Sequence, residues 1–199
     1  METRNPTDTK KLILCSLFTT LIIIGAYIKI PLFTVPFTLQ SMFATLAGLL
    51  LGKKYGTMSV ALYIAIGLAG VPVFAFGGGL WYVFQPTFGY ILGYLPAVYI
   101  TGYMMEKSRT ASSAAVLRAS FVNVLVVYMF GLPYFYMILN FYLGQAFSFH
   151  NLMLLALLPT IPGKIITCFA CVELHRRLAP VISTMGINQR RLSNENVKT

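Results

Sequence analysis

The sequence predicts an all-α integral membrane protein with six transmembrane helices and short re-entrant or interfacial helices on the outer side. Three observations predict it. Of the 199 residues 57% are hydrophobic and only 10% are charged, with a mean hydropathy of +0.75, whereas a soluble domain has about a quarter of its residues charged. The apolar residues are gathered into runs, most of them long enough to cross a bilayer. The 15 Lys and Arg outnumber the 5 acids to give +10, and they sit in short clusters between those runs, as cytoplasmic loop anchors do. The lipid bilayer accounts for the charge, and no nucleic-acid partner is expected.

The first span is Leu12 to Ile28, after Lys10 and Lys11 and before Lys29-Ile30-Pro31. At 1.5 Å per residue it extends about 25 Å. It is too long for the apolar core of a secretory signal and lacks a small-residue cleavage site, so it is read as retained. The second run, Phe37 to Gly52, stops at Lys53-Lys54, and the third covers Gly56 to about Gly70. Next comes VPVFAFGGGLWYVFQPTFGY, apolar yet carrying three consecutive glycines and two prolines. A regular helix cannot run through it, and irregular backbone at membrane depth must be buried in protein or line a cavity. The fourth span runs from about Thr87 to Met105. The fifth begins near Ala114 and is expected to break at Gly131-Leu132-Pro133, leaving Tyr134 to Tyr142 and Leu152 to Leu158 as short outer pieces around a polar turn at Gln145 to Asn151. The last span starts at the Pro162-Gly163 corner, Pro being favoured in a first helical turn, and ends near Leu178 at Arg176-Arg177.

Six spans put both termini on one side. With that side cytoplasmic, only Lys29 and Lys164 of the basic residues stand at outer ends, as the positive-inside rule requires. The expectation is one multi-pass membrane domain: a cytoplasmic N-terminal segment 1–11, a six-helix core 12–178 and a polar cytoplasmic tail 179–199. No internal repeat marks an inverted-repeat carrier.

Little here could perform catalysis. His150 and His175 fall at opposite faces of the membrane, and no H-E-x-x-H or G-x-S-x-G occurs. Glu173 has the spacing to pair with Arg176 or Arg177. Cys168 and Cys171 lack a second ligand pair and read as small packing residues. No enzyme, cofactor or metal site is expected. The outer half instead gathers rings, amides and one cation: Phe76, Trp81, Tyr82 and Tyr90 with Gln85 around the glycine corner, Asn140 beyond the fifth span, and Lys164 after Pro162. Together they predict a pocket for a small solute, although an interfacial aromatic belt accounts for some of these rings. Lys164 has two readings: a snorkelling anchor, or an anion partner assisted by the positive end of its helix. Lys29 reads as an anchor.

VPFTLQ (35–40), LAGLLLG (46–52), GLAGVPVF (67–74) leading to GGG (77–79), and PTFGYILGY (86–94) resemble, in order and spacing, the biotin-specific substrate-binding (S) components of energy-coupling factor (ECF) transporters, the BioY family. The resemblance covers roughly residues 12–178. It implies the S-component fold, biotin as transported ligand rather than cofactor, and energy supplied by ABC-type ATPases through a transmembrane coupling subunit. Aromatic rings would enclose the bicyclic body of biotin, amides such as Gln85 or Asn140 would meet its ureido group, and a lysine would pair with its carboxylate. Where the family carries Asp after the Pro-Gly corner and Lys three residues later, this chain has Lys164 and Thr167. Where the family has an Ala-x-x-x-Ala coupling surface in the first span, Cys15 with Thr19, or Ser16 with Thr20, offers small-x-x-x-small spacing. A stand-alone carrier of biotin or another small carboxylate vitamin, and a membrane scaffold protein, are the alternative functions.

Overall fold

The computed structural model describes residues 6–30, 37–108, 112–144 and 148–184. Helix α1 spans Pro6–Tyr27, and a minimal antiparallel hairpin follows, β1 (Lys29–Ile30) pairing β2 (Phe37–Thr38). Helix α2 covers Gln40–Leu68, a 3-10 turn Leu80–Phe84, α3 Phe88–Lys107, and α4 Ser113–Met137 with a π-helical turn at Ile138–Tyr142. The short α5 (Phe149–Leu157) and α6 (Ile161–Thr184) complete the chain.

Helix α2 is two limbs, 40–51 and 53–68, turned against each other at Gly52, whose φ of 78° and ψ of −175° lie outside helical space. This is left-handed backbone that a β-carbon disfavours. The turn has no loop: the Lys53 N–H that would otherwise be orphaned at the new helix start donates to Glu106 Oε1 at 3.0 Å, and Lys53 Nζ pairs with Glu106 Oε2 at 3.5 Å. The third span therefore starts at Lys53, three residues before the expected Gly56. Counting both limbs, the bundle has six crossing helices: α1, the limbs of α2, α3, α4 and α6. By their own length and hydropathy, Thr9–Tyr27 and Ser113–Tyr142 are long and apolar enough to cross a membrane.

Two further expectations are corrected. Gly131-Leu132-Pro133 does not break the fifth helix; α4 continues through Pro133 to Met137 and on into the π turn. Proline removes one ladder hydrogen bond, which a helix packed among other helices tolerates, and Gly131 is a packing position where the Tyr90 ring occupies the space of a β-carbon. Tyr134 to Tyr142 is thus an extension of the fifth helix, while the predicted short piece near Leu152–Leu158 is α5. Likewise α6 runs past Arg176-Arg177 to Thr184, supported by Glu173 paired with Arg177 at 2.7 Å and with Arg176 at 3.8 Å. Charges mark the edge of the apolar zone and do not stop a helix. The polar turn at 145–147, Arg4, Arg109, Arg190, Arg191, Lys198 and the tail beyond Thr184 lie outside the described residues.

The core has two apolar layers. One contains Tyr63, Phe74, Tyr90 and Val98, the other Leu46, Leu50, Met105 and Val116. Between them lies a buried polar junction joining α2, α3 and α4, with Thr45 Oγ1 2.9 Å from Asn123 Oδ1 and Asn123 Nδ2 donating to Thr101 Oγ1 at 3.0 Å. Lipid cannot drive helices together by the hydrophobic effect, so such bonds help register them.

Candidate functional site

The layer on the side away from Gly52 contains a cavity of about 580 Å³, open mouth included. Every major element near it contributes. Thr38 and Gln40 come from β2 and the start of α2, Ala75 and Phe76 from the segment before the 3-10 turn, and Tyr82 from the turn itself. Helix α3 adds Tyr90, Ile91 and Tyr94, one helical turn apart or adjacent, α4 adds Val127 and Tyr128, and the approach to α6 adds Thr160 and Lys164.

Lys164 sits in the first turn of α6, its N–H donating to Thr160 O at 3.0 Å. Pro162 in that same turn lacks an N–H that a helix start would leave unpaired anyway. The half-buried side chain reaches across the bundle, and Nζ donates to Ser41 Oγ at 2.7 Å. An ammonium that snorkels turns outward; this one turns inward, to the cavity. Beside it, Thr160 Oγ1 and Tyr128 OH share a 2.5 Å hydrogen bond that ties α4 to the start of α6. Thr167, at the family lysine position, turns back on its own helix, Oγ1 donating to Gly163 O at 2.8 Å.

The rings form the rest of the enclosure. Tyr90 meets Tyr128 edge to face, centroids 5.7 Å apart, and Phe135 at 6.4 Å. Tyr82 lies 4.5 Å from Phe74, and burial raises its phenol above the ordinary range, so it stays neutral. Buried polar atoms of the lining without a hydrogen-bond partner include Gln40 Nε2 and Tyr90 OH. Leaving a buried donor unpaired costs about 1–3 kcal/mol, and a ligand acceptor within reach recovers it.

Of the residues expected from sequence to bind a solute, Lys164, Tyr82, Tyr90 and Phe76 line the cavity; Trp81, Gln85 and Asn140 do not. Trp81 is 80% exposed and lies 5.8 Å from Phe84, which stacks on Tyr142 at 5.0 Å. That group matches the interfacial belt. Exposed Gln85 works through its backbone, accepting from Phe88 N at 3.0 Å, and Asn140 Nδ2 donates to Tyr136 O at 3.1 Å within the π turn. Gln40, Tyr94, Tyr128 and Thr160 were missed. Gln40 closes the VPFTLQ motif, and Tyr94 follows Tyr90 at helical spacing within PTFGYILGY, so both carried a usable signal.

The four small residues of α1 divide by face. Cys15 and Thr19 are buried; Thr19 Oγ1 lies 2.9 Å from Cys15 O and 3.0 Å from Ser59 O on the second limb of α2. They serve packing within the chain and are not available as a surface. Ser16 and Thr20 are exposed, each hydroxyl bonded to its own helix. Among the described residues, no group of three His, Cys, Asp or Glu side chains could hold a metal ion.

The sequence profile described as the BioY family matches residues 1–184. A probable biotin transporter BioY of Lysinibacillus sphaericus is 38% identical over 191 residues, which cover 96% of this chain and 97% of the relative. The biotin transporter BioY of Thermotoga maritima is 42% identical over 134 residues, 67% of this chain and 76% of the relative. Among solved structures, the S-component for biotin from an ECF-type ABC transporter superposes with a TM-score of 0.66 at 29% identity, covering 88% of this chain and 94% of the other.

Proposed function

The chain belongs to the BioY family, and from that premise we propose that it is the biotin-binding membrane subunit of an ECF transporter, taking up biotin with energy from ABC-type ATPases delivered through a transmembrane coupling subunit. The family is one of transporter components, so the chain binds and carries; it is not an enzyme. One observation supports the ligand most directly: a cavity lined both by an ammonium and by buried donors without a protein partner. Lys164 pairs with the carboxylate of biotin. Gln40 Nε2 and Tyr90 OH donate to the ureido oxygen, and Tyr82, Tyr94, Tyr128 and Phe76 enclose the bicyclic body. The start of α6 adds its positive end to the pull on the carboxylate.

In this reading the chain is one multi-pass domain of the bacterial inner membrane, both termini cytoplasmic, the Gly52 turn at the inner face and the cavity toward the outside. Ser16 and Thr20 then lie on the exposed face near the middle of α1, where a coupling subunit can approach closely because their side chains are small.

Equilibrium binding of labelled biotin to the detergent-purified chain tests the proposal. Saturable binding is expected, displaced by unlabelled biotin and not by other vitamins; absence of saturable binding refutes it. Uptake by cells with and without the coupling subunit and ATPases tests the energy source, and undiminished uptake in their absence would make the chain a carrier on its own.

A further inference from the structure

One wall of the cavity is not a membrane helix. The segment 71–79, between α2 and the 3-10 turn, contributes Ala75 and Phe76 to the lining. It folds back on itself, Phe74 and Gly77 exchanging backbone hydrogen bonds of 2.8 and 3.1 Å. Its far end is tied to α2, Gly79 N–H donating to Gly67 O at 2.7 Å. The root is also firm, because Phe74 is buried against Tyr63 and Tyr82. The tip is different: the Phe76 side chain is 54% exposed, so burial alone does not hold it over the cavity.

What holds the tip comes from the end of α1 and from β1. Tyr27 OH donates to Pro72 O. Lys29 Nζ donates to Ala75 O at 2.9 Å and stands 5.0 Å from the centroid of the Phe76 ring. An ammonium to a carbonyl is a charge-assisted hydrogen bond, and a cation over a ring face adds its own attraction. Both contacts of Lys29 fall on the two residues that the segment gives to the cavity, while Lys29 itself is not part of the lining. The Lys29 side chain therefore acts on a bound solute through the segment; its other tie to the lining is the backbone pairing with Thr38, which a side-chain substitution keeps.

We infer that Lys29 is a positioning residue for ligand retention: it latches segment 71–79, and with it Phe76, over the cavity. Its loss speeds release without removing a ligand contact. The inference rests on the cavity being the biotin site. It replaces the reading of Lys29 as a simple interfacial anchor, since an anchor needs water and not a particular carbonyl.

The test compares the detergent-purified wild type with Lys29→Ala and Lys29→Arg. From one charge-assisted hydrogen bond and one cation–π contact at a partly exposed site, Lys29→Ala is expected to raise the biotin off-rate about tenfold, with the on-rate within about twofold. The same factor is expected for biotin amide, because the latch does not sense the carboxylate, and Lys29→Arg should restore most of the retention. Independently of any ligand, amide hydrogen exchange over residues 73–78 should quicken in Lys29→Ala. An unchanged off-rate with unchanged exchange overturns the inference. So does a loss confined to biotin and absent for biotin amide, which would make Lys29 a direct carboxylate partner, or a loss residing in the on-rate, which would make it a steering charge. If the wild type bound no biotin, the proposed ligand would fall, and exchange in the ligand-free protein would still decide the latch.

Discussion

Lys164→Met isolates the cation from the space it fills, because methionine keeps an unbranched stem of similar length and loses only the charge. If Lys164 pairs with the carboxylate of biotin, the variant forfeits a charge-assisted hydrogen bond, worth about 1.5–3 kcal/mol net. At 1.4 kcal/mol per tenfold, that is a loss of about 10- to 150-fold in affinity. The lower part of that range is the better expectation, because the helix start at Ile161–Thr184 remains to attract the anion and contributes up to about 2 kcal/mol in partly buried settings. Stability should move the other way or not at all. Nζ lies 2.7 Å from Ser41 Oγ, but a lysine within a membrane helix carries an insertion cost of about 2.5–3.5 kcal/mol at the centre and less near an end. The unliganded variant should therefore melt at the same temperature or slightly higher. The assay is titration of both proteins with biotin and with biotin amide. Wild type should prefer biotin, and Lys164→Met should bind the two alike. Unchanged biotin affinity, or equal losses for both ligands, would refute the pairing and leave Lys164 as a structural contact to α2.

Three more substitutions separate ligand contacts from packing. Tyr90→Phe removes a buried hydroxyl that has no partner in the protein; thermal stability should rise by a few degrees while biotin binds about three- to tenfold more weakly, and unchanged affinity would show that the hydroxyl does not meet the ligand. Ser16→Leu with Thr20→Leu should spare biotin binding but weaken co-purification with the coupling subunit, whereas Thr19→Leu should destabilise the chain itself, since its hydroxyl lies between Cys15 O and Ser59 O; the reverse pattern would move the coupling surface elsewhere. Asn123→Leu removes the link between helices and leaves Thr45 and Thr101 each bonded to its own helix; it should cost about 1 kcal/mol in a thermal melt, and a variant as stable as wild type would mean that the junction does not register the helices.

The spans were legible because lipid demands apolar runs, and their approximate limits followed from Lys and Arg. What the runs could not express was connection geometry. LLLGKKYG reads as a helix, a charged link and a new helix, yet the chain turns on Gly52 alone because Glu106, distant in sequence, satisfies the Lys53 N–H. Gly131-Leu132-Pro133 has the local chemistry of a break, and tertiary packing of Gly131 on Tyr90 overrides it. In the site, residue type pointed to the correct end of the molecule but not to side-chain direction. Within the 3-10 turn, at about three residues per turn, neighbours point far apart, so Tyr82 is buried while Trp81 beside it is 80% exposed. Gln40 escaped notice because a polar residue opening an apolar helix looks like an ordinary helix start.

Gln40 and Ser41 also explain how a short limb can shape the cavity. The first limb of α2, residues 40–51, rises only about 18 Å. Its register is set by close packing, a β-carbon at Gly48 having no room beside Val98 O, and by polar contacts. Lys164 Nζ bonds Ser41 Oγ at 2.7 Å, Thr45 Oγ1 lies 2.7 Å from Ser41 O and 2.9 Å from Asn123 Oδ1, and Asn123 Nδ2 reaches Thr101 Oγ1 at 3.0 Å. Thr101 in turn donates to Ala97 O at 2.7 Å. One connected series of short bonds thus joins α6, α2, α4 and α3 at successive depths. Sliding the limb by one residue would break the two bonds that leave it, Ser41 to Lys164 and Thr45 to Asn123, and displace Gln40 within the cavity lining. The polar groups beneath the cavity are therefore part of what defines it, although only its uppermost member, Lys164, touches the space a ligand would fill.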